Sequence, residues 1–452
     1  MPGLFGTFGI RGIANKEFSP DLAYELGLAL ATQLGNEGKV AIGYDIRTSS
    51  PMLEHALTSG ITSGGCDAVR LGMVPTPVLS FGTKHFSCDA GVMITASHNP
   101  PEYNGMKFWD EEGAGFVRER EDELEQILEE GGKSVEWDEI GKSEERDAIS
   151  PYREAILEKI PKFDREMKVI IDCANGAGSN LYPQILKELG CEVVSINNEP
   201  DGHFPGRPPE PTPEHIKELS EMVSSSDADL GIAHDGDADR TIIVDENGKS
   251  LSGDRVFALA AINYLREKEN PRIITTVATS SVLDDAAEKL GGEVVRTKVG
   301  EPELIREFRK NGGDLAGEEN GGVIFPDWVY CREGLMTDIQ FIDYIARTEK
   351  TVSELDKTLP EYKQLKKKTD CPEELKPKVL EDLSQKLSDY NPDRTDGIRV
   401  VFDDGWYILR PSGTEPIFRC FSEAKTEERA EELADEGMKF LKESLKSVKQ
   451  EN

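Results

Sequence analysis

The feature that most constrains the fold is an alternation of short apolar runs with amphipathic segments over about the first 340 residues. Each apolar run is brief, contains many β-branched residues, and is followed by a polar or glycine-rich loop, a pattern typical of strands. The predicted strands cover residues 40–44, 91–95, 168–172, 230–233 and 272–276. Strands that alternate with helices in this way indicate α/β layers.

The helices between these strands carry start signals. Ser19, Pro20 and Asp21 place an N-cap, a first-turn proline and an acid ahead of leucines spaced along one helix face. The pattern changes near the C-terminus, where strands are predicted at 397–402 and 406–410 and a closing helix from about Glu427. This last part is predicted to be α+β.

Three stretches interrupt the alternation. Residues 118–150 are dense in charged side chains, residues 200–213 hold six prolines, and residues 358–378 mix proline with a lysine-rich run. Proline excludes a regular element from the second stretch, which we interpret as a rigid surface loop inside a domain. The first stretch is a candidate domain boundary, and the third is predicted to be a hinge.

The balance of charge bears on the partners. The chain has 86 acidic and 53 basic residues, which gives a formal net charge of −33. Such a surface repels nucleic acid and anionic membranes, so neither is expected as a partner. No stretch approaches the roughly 18 uninterrupted apolar residues of a membrane-spanning helix. If the substrate is an anion, the basic residues that bind it must be concentrated locally.

The cysteines and the N-terminus bear on location. The chain has seven cysteines and no Cys-x-x-Cys pair, which argues against a disulfide framework and a zinc ribbon. The N-terminus has no basic segment followed by a long apolar one, so no secretory signal is predicted. We therefore expect a cytoplasmic protein in which most cysteines are small core residues.

The first of four chemically interesting loops is Ser97-His98-Asn99-Pro100, directly after a predicted strand. A serine in such a turn, beside exposed backbone N–H groups, can hold a phosphate or act as a nucleophile. The loop lacks the Gly-x-Ser-x-Gly elbow of α/β-hydrolases. An ordinary capped turn also fits these residues.

The second loop contains Asp235, Asp237 and Asp239, followed by Arg240. The residues between the carboxylates are small, so the backbone can curl and bring three oxygens to one hard cation such as Mg²⁺. An EF-hand is rejected because Arg240 occupies the position that requires glycine, and because the flanking segments are predicted strands. A solvated acidic turn is the alternative.

The third loop brackets Glu318, Glu319 and Asn320 with glycines, so its backbone can approach a ligand closely. Carboxylate and amide groups are suitable partners for sugar hydroxyls. Acidic glycine-rich turns are nevertheless common, and this loop alone does not define a site.

The fourth loop contains Arg410, Ser412, Gly413 and Thr414, with Arg419 shortly after it. An arginine, two hydroxyls and backbone N–H groups around a glycine form a suitable cradle for phosphate. The loop is not a P-loop, because no Gly-Lys-Ser/Thr sequence follows the glycine. A polar turn is the alternative.

Taken together and in this order, the four loops resemble those of the α-D-phosphohexomutase superfamily over the whole chain. The opening run from Phe5 to Asn15 is most similar to the phosphoglucosamine mutase branch. The third loop resembles archaeal members that act on phosphoglucosamine, or on phosphomannose and phosphoglucose. Phe8 replaces an aspartate of the bacterial phosphoglucosamine mutases, and Asn320 and Gly322 replace the Ser and His of many relatives. These departures bear on the substrate, not on the reaction type.

The resemblance implies an α/β fold of three similar α/β domains plus a C-terminal α+β domain around a central cleft. Each domain is expected to supply one loop to this cleft. The implied domains are 1–150 with the phosphoserine loop, 151–250 with the metal-binding loop, 251–365 with the sugar-binding loop, and 366–452 with the phosphate-binding loop.

The resemblance also implies residue roles. Ser97 is expected to be a phosphoserine, and one of its phosphate oxygens is expected to join the three aspartates in holding one Mg²⁺ per subunit. His98 and Lys107 are candidates for proton transfer or charge stabilisation, and Arg11 and Arg240 for neutralising the transferring phosphoryl group. The expected substrate-binding residues are Glu318 and Asn320 for the sugar and Arg410, Ser412, Gly413, Thr414 and Arg419 for the non-reacting phosphate.

The implied activity is that of a phosphoglucosamine mutase, an isomerase that acts on a small phosphosugar through a hexose bisphosphate, which also serves as activator. A phosphomannomutase/phosphoglucomutase with the same mechanism is the alternative within this class. Outside this class, a phosphatase would use the same loops, and a non-catalytic protein would only bind the phosphosugar. The intact Ser97 and aspartates argue against the non-catalytic protein. The sequence does not predict the oligomeric state.

Overall fold

The computed structural model describes residues 4–6, 8–412 and 416–451. Within these residues the strands form four sheets, one for each of four consecutive parts of the chain. None of the described helices is long and apolar enough to cross a bilayer.

The first domain has a sheet in the order β1-β5-β4-β2-β3-β6. Its strands are β1 (Ile10–Ile13), β2 (Lys39–Tyr44), β3 (Asp67–Met73), β4 (Ala90–Ile94), β5 (Tyr103–Asp110) and β6 (Ser143–Glu145). Its helices are α1 (Pro20–Gln33), α2 (Ser50–Ser63), α3 (Thr76–His85) and α4 (Arg118–Glu130). Helix α1 begins as predicted, since the Ser19 side chain accepts a hydrogen bond from the Leu22 N–H, a cap that contributes about 1 kcal/mol.

The second domain has a sheet in the order β10-β9-β7-β8. Its strands are β7 (Lys168–Asp172), β8 (Glu192–Ile196), β9 (Leu230–His234) and β10 (Thr241–Val244). Its helices are α5 (Ile149–Lys159), α6 (Tyr182–Glu188) and α7 (Lys217–Ser224). The proline-rich stretch 200–213 contains no helix or strand, as predicted.

The third domain has a sheet in the order β12-β11-β13-β14. Its strands are β11 (Arg272–Thr276), β12 (Glu293–Thr297), β13 (Leu315–Gly317) and β14 (Val323–Ile324). Its helices are α8 (Gly253–Tyr264), α9 (Val282–Lys289), α10 (Glu301–Asn311), α11 (Gly334–Thr348) and α12 (Val352–Asp356).

These three sheets share one topology, which confirms the prediction of three similar α/β domains. In each, a central strand pairs in parallel with the strand that follows it and with a third strand: β2 with β3 and β4, β7 with β8 and β9, and β11 with β12 and β13. A fourth strand then returns antiparallel to the third, as β5, β10 and β14 do. The connection between the third and fourth strands is therefore equivalent in the three domains.

The fourth domain is α+β, as predicted, with an antiparallel sheet in the order β15-β18-β17-β16. Its strands are β15 (Lys363–Asp370), β16 (Ile398–Phe402), β17 (Gly405–Pro411) and β18 (Ile417–Ala424). Its helices are α13 (Lys376–Lys386) and α14 (Glu427–Glu451), and short 3₁₀ turns lie at Glu373–Leu375 and Ser388–Tyr390.

The structure corrects two predicted boundaries and the predicted hinge. Helix α5 begins at Ile149, so the boundary between 150 and 151 falls inside a helix. Strand β15 begins at Lys363, so the boundary between 365 and 366 cuts this strand, and the lysine-rich run is not a hinge. Its lysines occupy an edge strand, where charged side chains commonly prevent edge-to-edge association.

The buried apolar side chains distinguish the first three domains from the fourth. One continuous cluster extends through all three α/β domains and includes Trp109, Tyr182 and Phe257. The fourth domain has its own cluster around Tyr407, and a small group with Val277 and Trp406 joins it to the third domain. The α/β domains thus share a core, whereas the fourth domain is attached through a smaller contact.

Candidate active site

The first three chemically interesting loops occupy the equivalent connections of their domains. The Ser97 loop joins β4 to β5, the aspartate loop joins β9 to β10, and the Glu318 loop joins β13 to β14. Each loop thus leaves the end of a buried parallel strand. The shared topology explains why the reactive side chains of different domains come together.

The backbone of the Ser97 loop is held by the side chain of Arg47. Its guanidinium donates hydrogen bonds to the carbonyl oxygens of Ser97 (2.8 Å), Asn99 (2.6 Å), Pro100 (2.5 Å) and Tyr103 (3.0 Å). Its Nε also donates to Asp45, 3.0 Å away. Arg47, which the sequence analysis missed, therefore determines the shape of this loop.

The hydroxyl of Ser97 lies at the contact between the first and second domains. Ser97 Oγ donates a 2.8 Å hydrogen bond to Asp235 Oδ2, and Arg240 Nη2 lies 3.4 Å from the same oxygen. Arg240 also donates to Asp235 Oδ2 through Nε and Nη2, at 3.0 and 2.9 Å. Ser97, Asp235 and Arg240 are thus brought together as the resemblance implies.

His98 lies beside Ser97, with Nδ1 3.4 Å from Ser97 Oγ. Burial, together with the cations of Arg240 and Arg11, holds the pKa of His98 far below its usual value. The imidazole is therefore neutral near pH 7, and it is a weak base in these surroundings.

The three aspartates form a buried cluster whose ligand atoms all lie within 4.8 Å of one another. The Oδ2 atoms are occupied by protein donors, whereas Asp237 Oδ1 and Asp239 Oδ1 make no hydrogen bond within the described part of the chain. Buried carboxylate oxygens without a donor are costly unless a cation binds them. Oxygen ligands in this number suit a hard divalent cation, so the cluster could hold a metal ion.

Lys107 projects from β5 into the aspartate cluster. Its Nζ lies 2.9 Å from Asp237 Oδ2 and 3.2 Å from Asp239 Oδ2. Burial alone would lower the pKa of Lys107, but the two carboxylates outweigh burial and raise it above its usual value. Lys107 is therefore protonated and suited to charge stabilisation, not to accepting a proton.

Arg11, on β1, is solvent-accessible and donates a 3.1 Å hydrogen bond from Nη1 to Asn99 Oδ1 in the Ser97 loop. The neighbouring Phe8 packs edge-on against Trp109, and its ring centroid is 5.6 Å from Lys107 Nζ. An aspartate at position 8, as in the bacterial enzymes, would instead place a negative charge beside this ammonium.

The sugar-loop candidates differ in their surroundings. Glu318 is buried, and its carboxylate accepts hydrogen bonds from the Gly300 N–H (3.2 Å) and from Arg332 Nη1 (3.1 Å). Burial raises the pKa of Glu318. Asn320 Oδ1 accepts from the Gly322 N–H at 3.1 Å and so closes the turn. Contact of either residue with a sugar stays a prediction.

In the fourth domain, Arg410 Nε lies 2.6 Å from Asp396 Oδ2, and the Ser412 carbonyl accepts from Lys376 Nζ at 2.6 Å. Gly413 and Thr414 lie outside the described residues. Arg410 on β17 and Arg419 on β18 are directly opposite one another. The Asp396 carboxylate lies beside this pair, and contact of Arg410 and Arg419 with a phosphate stays a prediction.

Arg332 is the second important residue that the sequence analysis missed. It lies between β14 and α11, and its guanidinium contacts Asp239 (2.7 Å), Glu318 (3.1 Å) and Glu301 (2.9 Å). Its partners are 14 or more positions away in sequence, so no local motif marks it. For Arg47 the sequence offers only a weak signal: it is a basic residue two positions after Asp45, which follows a predicted strand.

Comparison with known proteins agrees with this geometry. The chain matches the four domains described for phosphoglucomutase/phosphomannomutase: alpha/beta/alpha domain I over residues 2–134, domain II over 150–248, domain III over 252–362, and the C-terminal domain over 365–439. The chain therefore belongs to the phosphoglucomutase/phosphomannomutase family. As a member of this family it is an enzyme, a phosphohexomutase of the isomerase class.

Individual relatives extend over almost the whole chain. A phosphoglucomutase/phosphomannomutase of Thermococcus kodakarensis is 47% identical over 99% of this chain and 100% of its own length. A probable phosphoglucosamine mutase of Methanopyrus kandleri is 43% identical over 100% of both chains. The crystal structure of a phosphoglucomutase/phosphomannomutase family protein from Burkholderia thailandensis superposes with a TM-score of 0.88 at 28% identity, covering 98% of each chain.

Proposed function

We propose that the protein is a phosphoglucosamine mutase, which interconverts glucosamine 6-phosphate and glucosamine 1-phosphate. The observation that carries the proposal is the position of Ser97 Oγ, 2.8 Å from Asp235 in the buried aspartate cluster and 3.4 Å from Arg240. A phosphoryl group on this oxygen would meet a cationic side chain and the metal-binding carboxylates together. The names of relatives from Methanopyrus kandleri and Pyrococcus abyssi, at 43% and 44% identity, support the choice of glucosamine.

In the proposed reaction, Ser97 carries a phosphoryl group that passes to the free hydroxyl of a hexose monophosphate. The P–O bond to Ser97 Oγ breaks and a P–O bond to the sugar oxygen forms, while the sugar hydroxyl proton is relayed by the neutral His98 to the departing Ser97 Oγ, 3.4 Å from Nδ1. The resulting hexose bisphosphate reorients and returns its other phosphate to Ser97. The same bisphosphate, supplied from solution, would phosphorylate Ser97 in the first place.

The cations around Ser97 have distinct parts in this scheme. Arg240 neutralises the transferring phosphoryl oxygens from one side, and Arg11 approaches from the solvent side. Lys107 stays protonated and balances the charge of Asp237 and Asp239. One Mg²⁺ held by Asp235, Asp237, Asp239 and a phosphoserine oxygen would supply Lewis-acid stabilisation of the transferring group.

The substrate would be held at two further places. Glu318 and Asn320 would bind sugar hydroxyls or the C2 substituent. Arg410 and Arg419, with Ser412, Gly413 and Thr414, would bind the phosphate that is not reacting, in a role common to the substrate and the bisphosphate. Arginine suits this role, because its planar fork can bind phosphate through two parallel hydrogen bonds.

The second candidate function is that of a phosphomannomutase/phosphoglucomutase. It is favoured by the 47% identity to the Thermococcus kodakarensis protein, which bears that name. Both candidates share the chemistry at Ser97 and differ only at the sugar. For either candidate function, we propose a cytoplasmic location, which agrees with the seven buried, unpaired cysteines. We propose no nucleic-acid partner and no membrane partner.

A substrate panel tests the proposal. Coupled assays with the 6-phosphates of glucosamine, glucose and mannose should give the highest kcat/KM for glucosamine 6-phosphate, and mass spectrometry of active enzyme should find phosphate on Ser97. Ser97→Ala, assayed without added bisphosphate, should be inactive. A preference for mannose or glucose phosphate would select the second candidate. Free phosphate released without isomerised product would indicate a phosphatase instead.

A further inference from the structure

Arg332 is a buried cation held against acidic groups from three separate segments. The side chain is only 9% exposed, and its backbone forms a β-bridge to Ile324 immediately before helix α11. The guanidinium contacts Asp239 from the aspartate loop, Glu318 from the sugar loop, and Glu301 at the start of α10. No role proposed above for the reaction uses this residue.

The donors around the aspartates are distributed systematically. Asp235 Oδ2 accepts from Ser97 and Arg240, whereas Asp237 Oδ2 accepts from Lys107 and Thr76. In Asp239 the Oδ2 atom accepts from Lys107 at 3.2 Å and from Arg332 at 2.7 Å. The side-chain hydrogen bonds to each carboxylate thus go to Oδ2, while Asp235 Oδ1 accepts from the Arg240 backbone N–H at 3.3 Å. Arg332 gives the shorter of the two hydrogen bonds to Asp239.

The hydrogen bonds to Asp239 Oδ2 determine where the second oxygen of this carboxylate, Oδ1, lies. Asp239 Oδ1 is buried and makes no hydrogen bond among the described residues, and the cation of Arg240 lies 3.7 Å away at Nε, so this oxygen is available as a metal ligand. A carboxylate fixed through one oxygen presents the other in a defined direction. Groups that orient ligands in this way commonly change metal affinity by about 10–100-fold when they are removed.

The same guanidinium contacts the sugar loop. Arg332 Nη1 donates to Glu318 Oε2, and the second carboxylate oxygen of Glu318 accepts from the Gly300 N–H. We propose that Arg332 is a positioning residue that holds Asp239 in its ligand orientation and ties it to the sugar loop. The inference rests on the metal and sugar sites of the proposed function.

A purely electrostatic role for Arg332 predicts the opposite sign. Removing a cation that contacts Asp239 leaves a more negative aspartate cluster, which should bind a divalent cation more tightly. If Arg332 positions Asp239, the variant should bind the divalent cation more weakly, because Asp239 Oδ2 then keeps only the longer 3.2 Å hydrogen bond from Lys107. The direction of the change in affinity therefore separates the two roles.

The experiment measures Mn²⁺ binding to the full-length protein, by electron paramagnetic resonance or calorimetry, after treatment with a chelator. Arg332→Met and Arg332→Lys should each raise the Mn²⁺ Kd by about 10–100-fold. Lysine is included because one ammonium cannot reproduce a fork that contacts three carboxylates, and because it retains the charge if the methionine variant does not fold. Mass spectrometry should verify that the compared samples carry equal phosphate on Ser97.

Arg306→Met is the matched control. Arg306 also lies in the third domain and also forms an ion pair with another domain, 2.7 Å from Glu119 of the first domain, but it does not contact the aspartate cluster. Its Mn²⁺ affinity should equal that of wild type. An unchanged or tighter Kd in a folded Arg332 variant would overturn the inference.

The Mn²⁺ measurements and the substrate panel together distinguish failure of this inference from failure of the proposed function. If the wild type binds no Mn²⁺, the metal site and the inference both fall, whatever the substrate panel gives. If the wild type binds Mn²⁺ and isomerises hexose phosphates while the Arg332 variants bind the metal normally, only the inference falls. If the wild type binds Mn²⁺ but isomerises no hexose phosphate, the proposed function falls and the variants still decide the role of Arg332 in metal binding.

Discussion

Ser97 has a left-handed backbone, with φ of 49°, which costs a residue other than glycine of order 1–3 kcal/mol. This conformation is maintained by a 2.8 Å hydrogen bond from the Ser97 N–H to Thr95 Oγ1 and by the contacts of Arg47 with the loop carbonyls. Thr95 Oγ1 in turn donates to Asp45, which also holds Arg47. The reactive serine is thus positioned by its own domain before it meets Asp235.

Arg47→Lys should therefore damage catalysis without removing a group that touches the substrate. A lysine cannot donate to four carbonyl oxygens at once, so the Ser97 loop should lose its fixed shape. A misplacement of about 1 Å can lower a rate by about 100-fold, and we expect a kcat loss of that order with a smaller change in KM. Steady-state kinetics, with circular dichroism as a check of folding, measures this.

Arg165→Lys is the control for Arg47→Lys, because Arg165 pairs with Asp229 at the surface, 3.0 Å away, and should tolerate the change. If kcat of Arg47→Lys equals that of wild type, the loop does not depend on the arginine fork.

At the scale of single residues, the sequence identifies site residues when they belong to one local motif. Ser97 and the three aspartates stand in short runs that are candidates by residue type and spacing, and the four loops taken together resemble those of a known family. The contact of Arg47 with Ser97 spans 50 residues and that of Arg332 with Asp239 spans 93, and both depend on how the domains pack. Such partners carry no periodicity or spacing that a single sequence reveals.

At the scale of elements, the buried strands were predictable because apolar runs distinguish them, as β4 and β9 illustrate. Strand β15 was not, because its lysines alternate faces on an exposed edge and give no apolar run. Lys367 faces helix α14 and lies 2.6 Å from Asp435, whereas its neighbour Lys368 faces the other side. Hydrophobic pattern therefore finds central strands more readily than edge strands.

The sheet of the fourth domain places three cations in a row. Lys368 pairs with Arg419, and Arg419 pairs with Arg410, so the side chains share one face across β15, β18 and β17. Farther along the same face, Glu423 and Trp406 contact the third domain at Ser281. The row is thus on the face that is turned toward the third domain, and two of its members, Arg410 and Arg419, are predicted to bind phosphate.

Lys368→Met should weaken binding of the phosphosugar. We expect KM to rise by about tenfold, equivalent to about 1.4 kcal/mol, with little change in kcat, because Lys368 is assigned no part in the transfer step. Lys367→Met is the matched control, one residue away on the opposite face, and should leave KM unchanged. Equal KM values for the two variants would remove Lys368 from the phosphate site.

The contact between the third and fourth domains contains a buried acid whose pKa is shifted. Asp254 accepts a 2.7 Å hydrogen bond from the Ser280 N–H and lies 3.4 Å from Gln364 Nε2 on β15. Burial raises the pKa of Asp254 from 3.8 to about 7, and the carboxylates of Glu319 and Glu423 add to this, while Lys366 opposes it. The native state therefore keeps a proton that the unfolded chain has released.

Asp254→Asn should change the pH dependence of stability. The contribution of protonated Asp254 is fully present below about pH 4 and is lost as the pH rises through about 7, at no more than about 1.4 kcal/mol per pH unit. The thermal midpoint of the variant should therefore rise relative to wild type between pH 4 and pH 7. Asp138→Asn, in an exposed loop, is the control. A constant difference between Asp254→Asn and wild type across this range would contradict the prediction.

At the scale of the whole molecule, the surface carries a large excess of negative charge. The formal net charge is −33, and self-repulsion of this kind destabilises a compact state. Salt also screens the attraction within surface ion pairs, and this loss lowers stability. An exposed ion pair contributes only about 0–1 kcal/mol, however. The unbalanced acids should therefore dominate the response to salt.

Raising NaCl from about 20 mM to about 500 mM shortens the screening length from about 20 Å to about 4 Å, so most repulsion between separated acids should be removed. We expect the thermal midpoint to rise, by about 1 °C for each kcal/mol of repulsion that is screened when the 452 residues unfold together. Chloride is preferred to sulfate, because sulfate also strengthens apolar burial and would raise the midpoint for a different reason. A chelator must be present throughout, so that the result does not report metal binding to the aspartate cluster. A midpoint that falls with NaCl would mean that the ion pairs, including those that join the domains, contribute more than the repulsion opposes.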